Sequence, residues 1–305
     1  MKEYTKTISA PLSGPRVLVT AGVHGDEYEP VVAALELAAA LPGVLNAGSV
    51  QVITVANASA YNSISRFGAD GLDMARRCPG DAAGTVTDQL AHTLSLQIQQ
   101  ADLLIDMHTG GLTYDIFPLA GYMLHPAHEV LQQQQQVALA TNLPLVWGTD
   151  FRPEGRTLSV ARDYGIPAVY LEYGGGTGFR RRVVDAYRNG IMNVLKYLKM
   201  AEGPAVTTPA GKRYWVEDHR AGSGFLQGKM PAPAEGIFAA AVKTGDVVEK
   251  GQPWGTITHP LTGNIVTVEA DMDGLVFLLR TMVKVSTGDA LGGILPIRQP
   301  GKIII

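Results

Sequence analysis

Residues 16–30, RVLVTAGVHGDEYEP, decide the reading of this chain. The run RVLVTAGV (16–23) is short, apolar and closed by Gly and a polar turn, which predicts a buried strand. The polar turn is followed by VVAALELAAAL, an Ala/Leu-rich stretch of helical length that stops at Pro42–Gly43. The same grammar recurs downstream. SVQVITVA (49–56), DLLIDM (102–107) and PAVYLE (167–172) read as further buried strands, with helices predicted over 86–99, 126–141 and 182–200. The five-Gln run in the second of these reads as a solvated helix face. Residues 57–86 are polar and rich in Gly, Asn, Arg and Pro, and form a long loop of the kind that usually carries function. Buried strands alternating with helices predict an α/β domain, with a mostly parallel or mixed sheet and flanking helices.

In such folds the ends of the strands carry the site. His24 and Glu27 follow the first strand at a spacing of three. His108 follows the strand 102–107, in a D-x-H pair with Asp106. Glu172 closes the strand 167–172. Two imidazoles and one carboxylate form a donor set that a catalytic zinc takes, with one position left open. A second carboxylate nearby is the natural general base. The long loop adds Asn57, Arg66, Asp73 and Arg76, and arginine is a permanently charged fork suited to carboxylates and oxyanions.

The character of the sequence changes near residue 203. After GPAVTTPAG (203–211) the remaining chain is short Val/Ile/Thr runs broken by Gly and Pro, which predicts an all-β module. It holds an internal repeat: VVEKGQPWGTI (247–257) echoes VKVSTGDALGGI (283–294), and EGIF (235–238) echoes DGLV (273–276). Two such units resemble a barrel-sandwich hybrid, the fold of biotinyl and lipoyl carriers. A carrier needs a Lys at the hairpin tip, and the matching turn EADMDG (269–274) has none, so the expected role is structural. The expected division is therefore residues 1–203 and 204–305.

Composition narrows the function classes. The chain has 305 residues, 46% hydrophobic and 17% charged, a balance typical of packed domains rather than tails. The net charge of −3, with Arg180–Arg182 as the single basic block, argues against nucleic acid. One cysteine, Cys78, excludes an internal disulfide and a Cys-based zinc site. The N-terminus MKEYTKTISAPL lacks an apolar stretch, and no run is long enough to span a membrane, so a soluble cytoplasmic protein is expected. Homo-oligomerisation is left open.

GVHGDE (22–27), NASAYNSISRFGADGLDMARRCPG (57–80), LLIDMHTG (103–110) and VYLEYG (169–174) together resemble the succinylglutamate desuccinylase/aspartoacylase family, within the zinc carboxypeptidase-like superfamily. The order and spacing match over about residues 16–180, and the C-terminal module also resembles that of the family. The resemblance implies one Zn2+ per chain on His24, Glu27 and His108, with Asp73 orienting His24. It implies Glu172 as the group that activates the attacking water and then protonates the leaving amine. Arg66 would polarise the scissile carbonyl, and Arg76 would hold a substrate carboxylate, with Asn57 and Arg77 also on the substrate side. Two departures stand out. The family's Asn-Pro reads Asn57–Ala58, and Ala75 replaces an Asn that helps bind the substrate carboxylate. Arg77 or the Arg180–Arg182 cluster could take over that task, although Arg180–Arg182 also reads as a solvated helix start.

The function implied is a zinc amidohydrolase that removes an acyl group from a small N-acylated amino acid or related amine. Succinylglutamate, N-acetylaspartate and N-acetyl-diaminobutyrate are the kinds of substrate such a family handles. A zinc carboxypeptidase acting on peptides is the alternative with the same chemistry, and a non-catalytic binding or scaffold protein is the alternative without it.

Overall fold

The computed structural model describes residues 1–206, 211–225, 229–297 and 301–304. The chain opens with strands β1 (Thr5–Ser9) and β2 (Leu12–Thr20), helix α1 (Tyr28–Ala40) and strand β3 (Ala47–Ile53). Helices α2 (Ala58–Asn62) and α3 (Val86–Ile98) precede strands β4 (Leu103–His108) and β5 (Tyr114–Met123). Then come α4 (His128–Ala140), β6 (Leu145–Thr149), α5 (Thr157–Asp163), β7 (Ala168–Gly174) and α6 (Arg181–Tyr197). Every regular element described after α6 is a strand: β8 (Tyr214–Glu217), β9 (Gly236–Ala240), β10 (Val247–Val248), β11 (Pro253–Thr258), β12 (Ile265–Glu269), β13 (Gly274–Arg280), β14 (Lys284–Val285), β15 (Gly292–Leu295) and β16 (Gly301–Ile304). The linker GPAVTTPAG, expected at 203–211, lies partly outside the described residues. Among the described residues no helix is long and apolar enough to cross a membrane.

The central sheet is mixed, in the order β1-β3-β2-β4-β7-β5-β6-β8-β16. Its middle strands β3, β2, β4 and β7 run parallel to one another, whereas β1 is antiparallel to β3 and β5 is antiparallel to β7. Alternation along each strand sorts the two faces. Val17 and Val19 pack with Ala33, Leu37, Val137, Val183 and Ile191 from α1, α4 and α6. Leu18, between them, points to the other face with Ala91, Leu94, Ile98 and Leu158 from α3 and α5. Two covered faces explain why these strands read as continuous apolar runs.

The Gln run differs from expectation at one position. Gln134 is buried, donates to the Met123 carbonyl at 2.8 Å and accepts from the Ala168 amide at 3.2 Å, so it ties the end of β5 to the start of β7.

Residues 236–295 show the repeat physically. β9 and β13, the strands that begin at EGIF and DGLV, both start on a glycine with φ near +150° (152° and 154°). A Cβ on Gly236 would sit 2.5 Å from the Thr258 carbonyl oxygen, and one on Gly274 would sit 2.3 Å from that of Leu295. Each unit's short middle strand crosses to the other unit: β10 pairs with β13, and β14 pairs with β9. Strand β13 also pairs antiparallel with β5, and β8 pairs with β6, so the C-terminal residues are stitched into the central sheet at two places.

One close approach holds the first site loop. The Gly25 amide donates to the Ser65 carbonyl at 2.9 Å, and a Cβ at Gly25 would meet the Ala60 carbonyl at 2.0 Å. The loop after β2 and the loop 57–66 can lie against each other only with glycine there. Gly25→Ala is expected to lower the melting temperature by several degrees, on the scale of about 2–4 °C per kcal/mol for a domain of this size. A melt within about 1 °C of the wild type would show that the two loops separate freely.

Candidate active site

Three adjacent parallel strands set the site. β2, β4 and β7 lie side by side with Thr20 opposite Asp106 and His108 opposite Glu172, so their C-terminal ends open at one level. His24 and Glu27 sit in the turn between β2 and α1, with Glu27 immediately before the first residue of the helix. All three of His24, Glu27 and His108 are buried.

Their donor atoms lie within 4.8 Å of one another, a group that could hold a metal ion. The Glu27 carboxylate faces both rings, 2.7 Å from His24 Nδ1 and 3.0 Å from His108 Nδ1. Each ring turns its other nitrogen to a second carboxylate: His24 Nε2 is 3.2 Å from Asp73 and His108 Nε2 is 3.1 Å from Asp106. A carboxylate behind an imidazole fixes ring orientation and tautomer, which is what a metal-binding histidine needs. Asp106 is itself fixed by the hydroxyls of Thr20 and Thr157. Asp73 accepts from the Ala75 amide at 2.9 Å and from Arg66 Nε at 3.0 Å, so it joins His24 to the arginine loop.

The charges follow from burial and neighbours. Burial alone would raise the Glu27 carboxyl, but the two imidazoles overrule it and hold the group at about 2. Burial would lower His108, and the carboxylates of Asp106 and Glu27 raise it well above the usual imidazole value instead. Glu172 has no such partner. Burial pushes its carboxyl up to about 8, with Glu27 adding to the rise and His108 opposing it. Its Oε2 is shut off from solvent without a hydrogen-bond partner. A carboxyl kept near neutrality in a cavity wall is a candidate for proton transfer.

The cavity over these groups brings together most of the residues named from the sequence. His24, Glu27, Arg66, Arg76, His108 and Glu172 all line it, and Ala75 lies on the same wall. Two candidates are placed elsewhere. Asn57 accepts from the Ala60 amide at 3.1 Å and caps α2, and it is not among the cavity's lining residues. Arg77 turns away to Asp88 at 2.7 Å, because the 3-10 turn Met74–Arg76 sends successive side chains in different directions. Of the Arg180–Arg182 cluster, Arg181 pairs with Glu36 at 2.5 Å and with Asp185 at 2.9 Å, on the outside of the α1–α6 pair.

Arg156 was not singled out in the sequence, and it lines the cavity. Its Nε and Nη2 are buried without a partner. Burial lowers its pKa, and the charge of Arg76 adds to the shift, so the two guanidiniums share one side of the site. Nothing in DFRPEGR marks this arginine. It enters as the residue that opens α5, at the end of the loop after β6. Tyr114, Ile116, Tyr170 and Leu278 complete the apolar part, Leu278 coming from β13.

A mixed α/β sheet with this buried His–Glu–His group at its strand ends defines the class, and comparison with known proteins agrees. Residues 13–198 match the model of the succinylglutamate desuccinylase/aspartoacylase catalytic domain. The chain belongs to the succinylglutamate desuccinylase/aspartoacylase family. It is 27% identical over 283 residues to a Halomonas elongata protein named N-alpha-acetyl-L-2,4-diaminobutyric acid deacetylase, covering 91% of this chain and 81% of that one. It is similar to the crystal structure of a succinylglutamate desuccinylase/aspartoacylase from Rhodobacter sphaeroides, with a TM-score of 0.86 and 28% identity over 97% of this chain and 89% of that one. It is also similar to the product-bound ectoine utilization protein EutE (DoeB) of Ruegeria pomeroyi, with a TM-score of 0.85 and 25% identity over 95% and 87% of the two chains.

Proposed function

We propose that this chain is a zinc-dependent amidohydrolase that removes the acyl group from a small N-acylated amino acid or related amine. The observation that carries the reading is the convergence of His24, Glu27 and His108 in a cavity whose wall includes Glu172, with one carboxylate oxygen buried and unpartnered. The donor chemistry fits zinc: two imidazoles and one carboxylate, with each imidazole backed by a carboxylate. His24, Glu27 and His108 would hold the ion. Zinc, when bound, supplies Lewis acidity at the scissile carbonyl and makes water acidic enough to attack at neutral pH.

The residues of the chain do the rest. Glu172 takes a proton from the attacking water and gives it to the leaving amine, and its raised pKa suits both halves of that transfer. Arg66, held by Asp73, steadies the oxyanion that develops on the carbonyl. Arg76 and Arg156 put two guanidiniums on one cavity side, which favours a substrate with a carboxylate near the amide. Residues 1–203 carry this chemistry, and residues 204–305 shape access to it through Leu278. The names of the relatives make Nα-acetyl-L-2,4-diaminobutyrate the first substrate to try. Release of free amine from a panel of N-acyl amino acids by the zinc-loaded protein tests the reading.

Specificity gives a sharper expectation. Arg76→Ala removes a charge-assisted hydrogen bond of roughly 1.5–3 kcal/mol. It is expected to raise KM for a carboxylate substrate about tenfold or more, with kcat nearly unchanged if ground and transition states are gripped alike. Unchanged affinity would move the carboxylate clamp to Arg156. Ala75 faces the cavity, so Ala75→Asn should help substrates with a free α-carboxylate and leave others as they were. Equal losses on both kinds would mean that Ala75 serves packing.

A further inference from the structure

Residues 218–225 form a turn locked to the end of β6. The Asp218 amide donates to the Gly148 carbonyl at 2.8 Å, and the Asp150 amide donates to Ser223 Oγ at 2.8 Å. Ser223 Oγ donates to the Asp218 carbonyl at 2.9 Å, and the Gly222 amide donates to the Asp150 carboxylate at 2.7 Å. Asp150, Asp218 and Ser223 are all buried. So many buried bonds in one short turn fix its end in space, and the end carries Gly224 and Phe225.

Both meet Arg156. The Gly224 carbonyl accepts from Arg156 Nη1 at 3.4 Å, and Arg156 Cζ lies 4.8 Å from the centre of the Phe225 ring. A guanidinium can be held by a carboxylate or by a ring. A carboxylate fixes it by consuming donors. An aromatic face fixes its plane by cation–π attraction and stacking and consumes none. Arg156 is held in the second way, and its Nε and Nη2 are left without partners in the cavity wall. Phe225 keeps an open side, 43% exposed, so its contact with Arg156 is not the by-product of core packing.

We propose that Phe225 is a positioning residue for substrate recognition: laid over Arg156, it holds the guanidinium so that Nε and Nη2 stay available to an anionic group of the bound substrate. The identity of that substrate rests on the deacylase reading above; the stacking does not.

Two readouts test this. In nitrogen-15 spectra, the Arg156 Nε–H signal, identified by its loss in Arg156→Lys, should exchange slowly in the wild type. Phe225→Ala should bring it into fast exchange, and Phe225→Tyr should restore it. In kinetics, the zinc-loaded protein is compared on Nα-acetyl-L-2,4-diaminobutyrate and its carboxamide. Phe225→Ala should raise KM for the carboxylate by about two- to fivefold, the scale of a partly exposed cation–π contact, with kcat within about twofold and little change for the carboxamide. Phe225→Tyr should recover the wild-type KM. An Arg156 signal unchanged in Phe225→Ala, or KM values that rise alike for both compounds, would overturn the proposal. If the wild type hydrolyses neither compound, this substrate falls and the Arg156 signal alone decides the positioning claim.

Discussion

His108→Ala protein is expected to purify with almost no zinc and no measurable deacylase activity, while its fold is retained. Loss of a partner behind a metal ligand already costs roughly 10–100-fold in affinity, and loss of the ligand itself costs more. The fold should survive because the structural duty of residue 108 lies in its backbone, whose carbonyl accepts from the Tyr187 hydroxyl. Asp106 also keeps the hydroxyls of Thr20 and Thr157 when the ring is gone. The variant does leave Glu27 with one imidazole instead of two, so His108→Gln, which keeps a polar side chain there, is the companion. Metal content by mass spectrometry and a melting curve decide the matter. Full occupancy in both variants removes His108 from the ligand set.

Glu172→Gln should show the opposite pattern: normal zinc content and activity lower by at least ~100-fold, the usual scale for a general base. Gln keeps size and loses the proton-transfer function. Near wild-type turnover would assign the base elsewhere. The same variant has a second signature in the metal-free protein. The Glu172 carboxyl is raised from 4.5 to about 8, so the folded state binds a proton that the unfolded state has lost throughout that interval. The group's contribution to stability is thus fully present below about 4.5 and is lost as pH rises through about 8. Gln carries no such dependence. Metal-free Glu172→Gln should therefore gain melting temperature relative to metal-free wild type as pH rises across this window. A gap that is flat with pH would show that the Glu172 carboxyl is not held away from water and unpaired.

Much of this was legible in the chain. The strands that became β2, β4 and β7 announce themselves because both of their faces are covered, which leaves an unbroken apolar run ending abruptly at polar groups. His24, Glu27, His108 and Glu172 stand at those breaks, so their meeting follows from three neighbouring strands in one register. Other features are set by contacts distant in sequence. Strand β5 carries Tyr114 and Ile116 into the cavity, but its pairing with both β7 and β13 has no local periodicity to betray it. The loop arginines were indistinguishable by position: Arg76 and Arg77 are neighbours, and only the acceptor Asp88 on α3 takes one of them away. Asn57 looked chemical because of its motif, and its oxygen is used as a helix cap. Arg156 was silent because an arginine acquires meaning only from what fails to neutralise it.

Protein loaded with about one zinc per chain is offered Nα-acetyl-L-2,4-diaminobutyrate, N-acetylaspartate, succinylglutamate and a set of unblocked peptides, and the appearance of free amine is followed with and without a chelator. Amine release is expected from at least one of the N-acyl amino acids, abolished by the chelator and restored by zinc, with much slower release from the peptides. Release from peptides alone, or release from an N-acyl amino acid that the chelator leaves untouched, would rule out a zinc-dependent deacylase.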